Sequence, residues 1–455
     1  MFVYLFLITV ICNEFLVGMG WGWTAPTLLK LCSPDSVIPM TVFQASWIGS
    51  INELGRLLGP FISPFLVDKI GRKFTLILVT IFLYIFWLAI IFIRNVHALY
   101  AARIMFGMTN GISDVVSTIY TTENCSPSFR GIIGGLVLVM YFAGILAEFI
   151  LATYLSYSCA ALVNAVISIC TLVTIFFGTE TPYFLIMKGK YEKAERNYIW
   201  LKGGDEQYIV FDEMEKIKQN VLEEKLKRKS ISTLLLGKDN LKSILIVTGL
   251  YLLSTTTGVS AMTAYASLMF PPSKFLTSNE YTILYGVAKL VAVSSSLFMI
   301  ENFNRRSLLI VSFIICSICN GSAYILYYSF EKNSEVRLYP WFIFMSITLY
   351  SSVFALVYPA LYVIRGEILP FSVKTIGGCI AVISQSSISF TIAKMFFPIE
   401  QRFGMKANFL FYFIMSLATT IFVYFTVPET RGKTLEEMRK SSRVSPHADV
   451  VVTTM

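Results

Sequence analysis

Two short charged segments, far apart in the chain, repeat one order of side chains. Residues 68–73 read Asp-Lys-Ile-Gly-Arg-Lys and residues 301–306 read Glu-Asn-Phe-Asn-Arg-Arg, in each case an acid, two spacers, a turn residue and two cations. Both segments lie between long apolar runs, and acids and bases attract each other more strongly at such places than in bulk water. The repeat indicates that one structural unit occurs twice and that its charged loops form ion pairs.

Side chains suited to catalysis or metal binding are sparse. The chain has two histidines, His97 and His447, and neither belongs to an apolar run, so the hydroxyl-rich stretch 254–257 has no histidine base there. Cys316 and Cys319 have C-x-x-C spacing but no second pair, which favours a packing role over a metal site. We therefore expect no enzyme activity, no metal and no cofactor.

The composition is that of an integral membrane protein. Of the 455 residues, 55% are hydrophobic and 14% are charged, and the mean hydropathy is +0.67. The apolar residues come in blocks of about 20, long enough to cross a bilayer core of roughly 30 Å as helices. The net charge of +9 is explained by a basic excess on the cytoplasmic side of the membrane, so we expect the lipid bilayer and not a nucleic acid as partner.

The apolar runs predict an all-α membrane protein with twelve transmembrane helices in two pseudo-repeated six-helix halves. The first six spans are expected at about 2–28, 43–67, 74–93, 98–120, 132–154 and 159–177. The second six are expected at about 241–269, 281–300, 307–328, 340–364, 373–397 and 407–427. In span 1, Gly18, Gly20 and Gly22 permit close helix contact, and Pro26 weakens the helix near its end.

Four domains follow from these spans. Residues 180–240 are polar, rich in both Lys and Glu, and patterned as short amphipathic helices on the membrane face. We predict an N-terminal half at 1–179, a cytoplasmic linker at 180–240, a C-terminal half at 241–428 and a cytoplasmic tail at 429–455. Under this count one face collects the basic residues of the short loops, which predicts that both chain termini are cytoplasmic. These residues are Lys69, Arg72, Lys73, Arg130, Arg305, Arg306, Lys374, Arg431 and Lys433.

An ordered set of motifs over almost the whole chain resembles the major facilitator superfamily and, within it, the sugar porters. The motifs are the loop 68–73, then Arg103-x-x-x-Gly107, Tyr120-x-x-Glu123, Arg130-Gly131, Glu180-Thr181-Pro182, Glu367-x-x-Pro370 and the run 427–437. Three further stretches resemble the insect facilitated trehalose transporter branch of that family. They are Gly22-Trp23-x-x-Pro26, Ser33-Pro34-Asp35-Ser36 and Ser46-Trp47-Ile48-Gly49-Ser50.

The resemblance implies that the charged loops latch the cytoplasmic side of the two halves while the other side is open. A single exposed ion pair contributes only about 0–1 kcal/mol, but several that break together can bias a two-state equilibrium. The alternative is that these charges only set the membrane topology. The implied gate consists of Asp68, Arg72, Glu123, Arg130, Glu180, Glu301, Arg305, Arg306, Glu367 and Glu429.

The sugar site is where the chain departs from the family pattern. A site for neutral polyols needs amides, hydroxyls and an aromatic face inside the bundle. Hydroxyl side chains stand here at the positions of the family's span 7 amides, and one amide remains in span 11. The substrate-binding set implied by the resemblance is Thr255, Thr256, Ser260, Lys289, Tyr362, Gln385 and Ser389.

Lys289 is the sharpest departure, because the family usually has an amide at this position. A charge at mid-span costs roughly 2.5–3.5 kcal/mol on insertion, so it is usually paired or functional. Three interpretations stay open: an ion pair that sets helix packing, a binding group for an anionic solute, or a lysine near the cavity without a specific role. The candidate partners are Glu14, Glu53, Asp114 and Glu148, although Arg56 is an alternative partner for Glu53.

Proton coupling is disfavoured by one position in span 1. Proton-driven members of the family carry an aspartate where this chain has Met19, although its usual partner, Arg103, is present. Glu14 lies more than one turn away and could substitute. We predict a facilitative transporter in the plasma membrane that moves a small solute, trehalose or a hexose, by alternating access. The alternatives are a nutrient receptor without transport and a carrier of a different small solute, including an anionic one.

Overall fold

A computed structural model describes most of the chain as helix. It leaves out residues 1, 34–35, 126–129, 203–213, 216–217, 220–236, 333–338, 371–372 and 432–455. The side chains of residues 2–7, 130–132, 201–202, 238–239, 300–301 and 374–375 also lie outside the described part.

Twelve helical spans form two halves, as predicted. In the first half, spans 1 to 6 are Phe2–Gly22 with Thr24–Leu31, Val42–Ile70, Arg72–Phe92, Val96–Asn124, Arg130–Tyr154 and Tyr157–Phe177. In the second half, span 7 is Lys238–Thr256 with Val259–Ala264 and Ala266–Met269, and spans 8 to 12 are Ser278–Asn302, Arg305–Lys332, Tyr339–Ile368, Lys374–Phe403 and Met405–Thr426. The short helices Pro182–Met187 and Tyr191–Lys202 lie between the halves in sequence.

Eight of the described helices are long and apolar enough to cross a membrane by themselves, namely spans 3, 5, 6 and 8 to 12. The remaining spans, 1, 2, 4 and 7, are interrupted or carry buried polar side chains such as Asn13, Glu53, Arg103 and Thr255. Polar groups in such segments belong inside a bundle and away from lipid. The functional residues should therefore lie on these four spans and on the faces that they meet.

Two spans break where the sequence gives a local reason. Span 7 was predicted to be continuous, but Gly258 has a φ of +102°, a left-handed conformation that glycine adopts without a steric penalty. Span 1 is interrupted at Trp23, one residue after Gly22. Pro26 lacks an N–H and its ring clashes with the carbonyl four residues earlier, which is that of Gly22. At both breaks a buried side chain donates to a backbone carbonyl, Arg103 to that of Gly20 and Asn320 to that of Thr257.

Small residues let the spans of the first half approach closely. A Cβ atom on Gly107 in span 4 would lie 1.9 Å from the Asn52 carbonyl oxygen in span 2. One on Gly18 in span 1 would lie 2.0 Å from the Tyr141 carbonyl oxygen in span 5. The predicted role of the span 1 glycines in close helix contact is confirmed at Gly18.

The halves meet along two helix pairs. Span 2 packs against span 11, and span 5 packs against span 8. The Thr24–Leu31 piece of span 1 also contacts the Ala266–Met269 piece of span 7. We call the contact surface between the halves the seam. The end of the bundle that holds residues 68–73 and 301–306 is called the basic end, and the other end is called the opposite end.

Candidate functional site

The charged residues of the first half form one compact cluster at the basic end. Arg72, which is 4% exposed, donates from Nη2 to Glu123 Oε1 at 2.7 Å and from Nε to Glu123 Oε2 at 2.9 Å. The backbone N–H groups of Arg72 and Lys73 donate to Glu180 Oε1 at 3.0 and 3.2 Å. Glu180 therefore caps the N-terminus of span 3, where a negative charge is stabilised by the helix dipole.

The second half repeats this arrangement with a looser ion pair. Arg305 Nη2 lies 3.8 Å from Glu367 Oε1, as Arg72 lies near Glu123. The backbone N–H groups of Arg305 and Arg306 donate to the Glu429 carboxylate, each at 3.1 Å. Glu429 therefore caps span 9 as Glu180 caps span 3, and the repeat seen in the sequence extends to the contacts.

The described ion pairs of the gate lie within one half each. The sequence interpretation placed pairs across the seam, whereas Glu123 and Glu180 bind the first half and Glu367 and Glu429 bind the second. The reason is local, because a helix N-terminus beside an arginine offers each carboxylate several donors in its own half. Asp68 is exposed, and the side chains of Arg130 and Glu301 lie outside the described part.

The Glu180 carboxyl group is held between opposing influences. Burial raises its pKa above the ordinary value, while the backbone N–H groups of Thr181, Lys73 and Arg72 act to lower it. The hydrogen bonds from these backbone N–H groups require an oxygen that accepts at this position, and an ionised carboxylate supplies two. A substitution at Glu180 should therefore destabilise the N-terminal end of span 3.

Part of the predicted substrate site assembles at the seam. Ser389 in span 11 lies with its Oγ 2.6 Å from the Oγ of Ser260 in span 7, just past the helix break. Gln385, one turn earlier in span 11, is 8% exposed. Tyr362 in span 10 lies with its hydroxyl 3.4 Å from that of Tyr358, and its ring stacks at 4.9 Å on the Arg365 guanidinium. These groups offer the hydroxyl, amide and aromatic chemistry of a sugar site.

Two other predicted residues direct their hydroxyls to their own helix. Thr255 Oγ1 donates to the Tyr251 carbonyl at 2.7 Å, and Thr256 Oγ1 donates to the Leu253 carbonyl at 2.6 Å. Both residues are buried immediately before the break in span 7. In this arrangement they keep an acceptor lone pair available but not their proton.

Lys289 is buried at the seam, with 3% of its surface exposed. Its Nζ donates to Thr263 Oγ1 at 3.0 Å and to the Tyr285 hydroxyl at 3.5 Å. The ammonium group also lies 5.2 Å from the ring centre of Phe142 in the first half and 5.0 Å from that of Tyr285. Hydroxyl groups and aromatic faces thus surround the cation.

The predicted carboxylate partner of Lys289 is not found among the described side chains. Each of the four candidate acids has another partner, because a hydroxyl, amide or guanidinium group lies closer to it than the Lys289 ammonium group does. Glu14 accepts from Ser113 at 3.1 Å, and Glu148 accepts from Asn164 at 2.7 Å. Asp114 accepts twice from Arg56, at 2.7 and 3.0 Å, and Glu53 lies 3.8 Å from Arg56. The alternative pairing of Glu53 with Arg56 is confirmed.

Arg103 is fully buried and binds span 1 without a carboxylate among the described residues. Its guanidinium donates to the Gly20 carbonyl at 3.0 Å and to Thr24 Oγ1 at 2.6 Å. It also lies 5.2 Å from the ring centre of Trp23 and 5.3 Å from that of Phe106. The break in span 1 supplies these acceptors.

A contact across the seam towards the opposite end escaped the sequence analysis. Lys394 in span 11 donates to Ser46 Oγ in span 2 at 2.6 Å, and its Nζ lies 4.1 Å from the Trp47 ring and 4.3 Å from the Phe43 ring. We call this group of four residues the aromatic clasp. Ser46 and Trp47 stood out only as part of a family motif, and nothing in the sequence linked them to Lys394.

Comparison with protein families and curated proteins places the chain among carriers. The family model described as sugar (and other) transporter matches residues 23–441. The facilitated trehalose transporter Tret1 of Apis mellifera ligustica is 27% identical over 429 residues, which are 93% of this chain and 85% of that protein. Tret1 of Polypedilum vanderplanki is 27% identical over 437 residues, 95% of this chain and 86% of that protein.

Solved structures share the fold over nearly the whole chain. The proton:xylose symporter XylE bound to 6-bromo-6-deoxy-D-glucose has a TM-score of 0.77 and 18% identity, with 97% of this chain and 99% of that chain covered. The inward open conformation of the xylose transporter XylE from E. coli has a TM-score of 0.80 and 17% identity, covering 96% and 99%. At this identity the likeness concerns the fold alone.

Proposed function

Because the chain belongs to the sugar (and other) transporter family, we propose that it carries a sugar of the trehalose or hexose class across the plasma membrane by alternating access. The family is one of multi-pass membrane carriers and not of enzymes. The relatives named as trehalose transporters support the choice of sugar. The receptor without transport and the carrier of an anionic solute gain no support from these comparisons.

One observation of the structure supports the proposal most directly. Ser260 and Ser389 lie 2.6 Å apart at the seam, and Gln385 stands one helical turn before Ser389. Gln385 and Ser389 are buried, and Ser260 is half-buried. Hydroxyls and an amide bind sugar hydroxyls because each can donate or accept a hydrogen bond. A site at the boundary of two halves is exposed to one side or the other as the halves rock.

Facilitated transport is the proposed mode, without a coupled proton. Met19 stands where proton-driven members of the family have an aspartate, and Arg103 donates to the Gly20 carbonyl and to Thr24 Oγ1 of span 1. Glu14, the possible substitute, accepts from Ser113 instead. A sugar-induced alkalinisation of the medium would contradict this mode.

The orientation follows from the basic end, which we propose to be cytoplasmic together with both termini. Cys32 lies exposed at the opposite end, after the second piece of span 1. A membrane-impermeant maleimide should therefore label intact cells, and Cys32→Ser should remove much of that labelling. Labelling of Cys32 only after the cells are permeabilised would reverse the orientation.

Uptake of labelled trehalose and glucose, in a host without sugar carriers of its own, tests the proposed function. Saturable uptake above an empty-vector control is expected. Gln385→Ala should raise the KM about three- to tenfold, since one neutral hydrogen bond is lost. Gln401→Ala, an exposed glutamine near the other end of the same span, is the matched control and should leave the KM unchanged. No uptake, with the protein confirmed at the cell surface, would refute the proposal.

A further inference from the structure

Glu53 is a buried acid of the first half that makes a hydrogen bond to the second half. It lies in span 2 with 2% of its surface exposed, and its Oε1 accepts from the Ser389 hydroxyl of span 11. Ser389 also lies 2.6 Å from Ser260 of span 7. The carboxylate thus joins the polar group at which the sugar is proposed to bind, although the sequence offered Glu53 only as a partner for a cation.

The second oxygen of Glu53 has no hydrogen-bond donor among the described residues. Oε2 is fully buried, and the nearest cation, Arg56, stands 3.8 Å away. The Arg56 guanidinium donates from Nε and Nη2 to Asp114, at 3.0 and 2.7 Å. Arg103 of span 4, the second cation that acts on Glu53, donates to span 1. An acceptor of this kind is costly to bury unless a donor reaches it.

A second acceptor without a donor among the described residues lies on span 11, one helical turn before Ser389. The amide oxygen of Gln385 is fully buried, and no donor among the described residues reaches it. Gln385 precedes Ser389 by one helical turn, so the two side chains lie on the same face of span 11. The seam around Ser389 therefore presents two buried acceptors, one from each half.

We propose that Glu53 belongs to the sugar-binding site, where its carboxylate accepts a hydrogen bond from a sugar hydroxyl. A polyol carries several O–H donors on neighbouring carbons, which is the chemistry that two unsatisfied acceptors require. Gln385 accepts from a second hydroxyl, and Ser260 and Ser389 exchange their mutual contact for contacts to the sugar. The inference rests on the proposed function and deepens it, because it assigns a residue and a ligand class to the same site.

Two consequences follow from the position of Glu53. The sugar bridges the halves, so its full binding energy is available only when they close around it, which couples binding to the conformational change. The two acceptors also select the ligand by its hydrogen-bonding groups, because a neutral polyol offers hydroxyl donors whereas a carboxylate or phosphate group offers acceptors. The ligand class is therefore a neutral polyol and not a sugar acid or a sugar phosphate.

The test is a hydroxyl-deletion series measured on the full-length protein in proteoliposomes. Monodeoxy analogues of glucose or trehalose, whichever the wild type carries, compete with the labelled parent sugar. In the wild type, one deoxy position should weaken competition about tenfold or more, because a hydrogen bond to a charged acceptor is lost. In Glu53→Ala the parent sugar should bind about tenfold more weakly, and that deoxy analogue should compete no worse than the parent.

Two further variants separate a binding role from a structural one. Glu53→Gln keeps an acceptor oxygen and a similar shape, so it should retain the dependence on that hydroxyl in weakened form. Glu148→Gln removes another buried carboxylate that is bonded within the first half, to Asn164, and should leave the hydroxyl pattern of the wild type intact. Surface biotinylation reports whether each variant is folded and exported.

An unchanged hydroxyl pattern in Glu53→Ala and Glu53→Gln would overturn the inference while leaving sugar transport intact. Stronger competition by glucuronate than by glucose in the wild type would overturn the ligand class. Absence of any saturable sugar uptake by the wild type would instead refute the proposed function, and this inference with it. The wild-type measurement alone thus distinguishes the two failures.

Discussion

Lys289 illustrates how a buried charge is stabilised when no carboxylate partner lies among the described side chains. Its insertion costs roughly 2.5–3.5 kcal/mol, and each desolvated cation–π contact returns about 2 kcal/mol. Two rings and the Thr263 hydroxyl are therefore enough to offset the cost. An ion pair with Glu14, Glu53, Asp114 or Glu148 was one of three interpretations left open by the sequence, and none of these four acids is paired with Lys289. Aromatic faces and hydroxyls stabilise the cation instead.

We expect Lys289→Met to raise the KM for sugar about tenfold, because methionine has no donor for a sugar oxygen. Lys289→Gln should stay within about threefold of the wild type, since an amide still donates a hydrogen bond. Uptake kinetics of the two variants measure the difference. An unchanged KM in Lys289→Met would contradict a role in sugar binding. Loss of uptake of an anionic solute in Lys289→Gln, with sugar uptake intact, would support the carrier of an anionic solute instead.

Helix contacts in the first half depend on the absence of a side chain. Gly107 meets the backbone of span 2 so closely that one methyl group would overlap the Asn52 carbonyl oxygen. Gly134 in span 5 faces open space, because an added Cβ would meet nothing within 4 Å. The same chemical change therefore has opposite effects at the two positions.

Gly107→Ala should destabilise the protein by about 1–3 kcal/mol, because a backbone carbonyl cannot move aside cheaply. Gly134→Ala is the matched control and should be neutral or stabilising by up to about 1 kcal/mol, since alanine is the better helix former. Thermal unfolding of the detergent-solubilised variants compares the two. Equal midpoints would show that spans 2 and 4 are not packed as described.

The aromatic clasp is the contact of spans 2 and 11 that should control opening at the opposite end. Lys394→Met removes the charge and the hydrogen bond to Ser46 but keeps the length of the side chain. We expect a shift towards the state open at that end, because both rings lose their cation. The readout is labelling of a cysteine at Ala261, a buried position of span 7, in a background without the exposed native cysteines.

Labelling from outside should rise several-fold in Lys394→Met and in Trp47→Ala. Lys406→Met serves as the control, because Lys406 pairs with Glu331 at 2.6 Å within the second half. If the three variants label at the wild-type rate, the clasp does not hold the opposite end closed.

At the scale of the whole molecule, the charged clusters around Arg72 and Arg305, here called the gate clusters, repeat in the two halves and lie together at the basic end. Glu180 caps span 3 and Glu429 caps span 9 with the same pair of backbone donors. The described pairs lie within the halves, so a latch between the halves stays a prediction. If these clusters stabilise contact at the basic end in the other conformation, weakening one should favour the state open at the basic end.

Glu429→Gln tests this by replacing a charged acceptor with a neutral one of the same shape. Charge-assisted hydrogen bonds are roughly twice as strong as neutral ones, so the cap on span 9 weakens. Labelling of the cysteine at Ala261 from outside should fall, and Glu180→Gln in the first half should act in the same direction. Unchanged labelling in both variants would support the alternative that these charges only set topology.

The sequence by itself determined the spans, the repeat and the family, because these depend on local properties. Apolar runs of bilayer length and the order of short motifs can be read without knowing any contact. The ends of the twelve predicted spans agree with the described helices to within four residues, except that span 11 runs six residues further, to Phe403. In addition, span 7 breaks at Gly258 and span 1 at Trp23. Glycine and proline signal such breaks weakly, since a helix can also tolerate them.

Only the tertiary structure decided which polar groups meet. Ser389 binds Glu53 across 336 residues of chain, and Lys394 binds Ser46 across 348. No local pattern encodes these pairs, because the partners are chosen by how helices of the two halves pack and by which donor lies nearest. For the same reason the acids expected beside Lys289 belong to other partners, and the carboxylate proposed for the sugar site became visible only once spans 2, 7 and 11 were brought together.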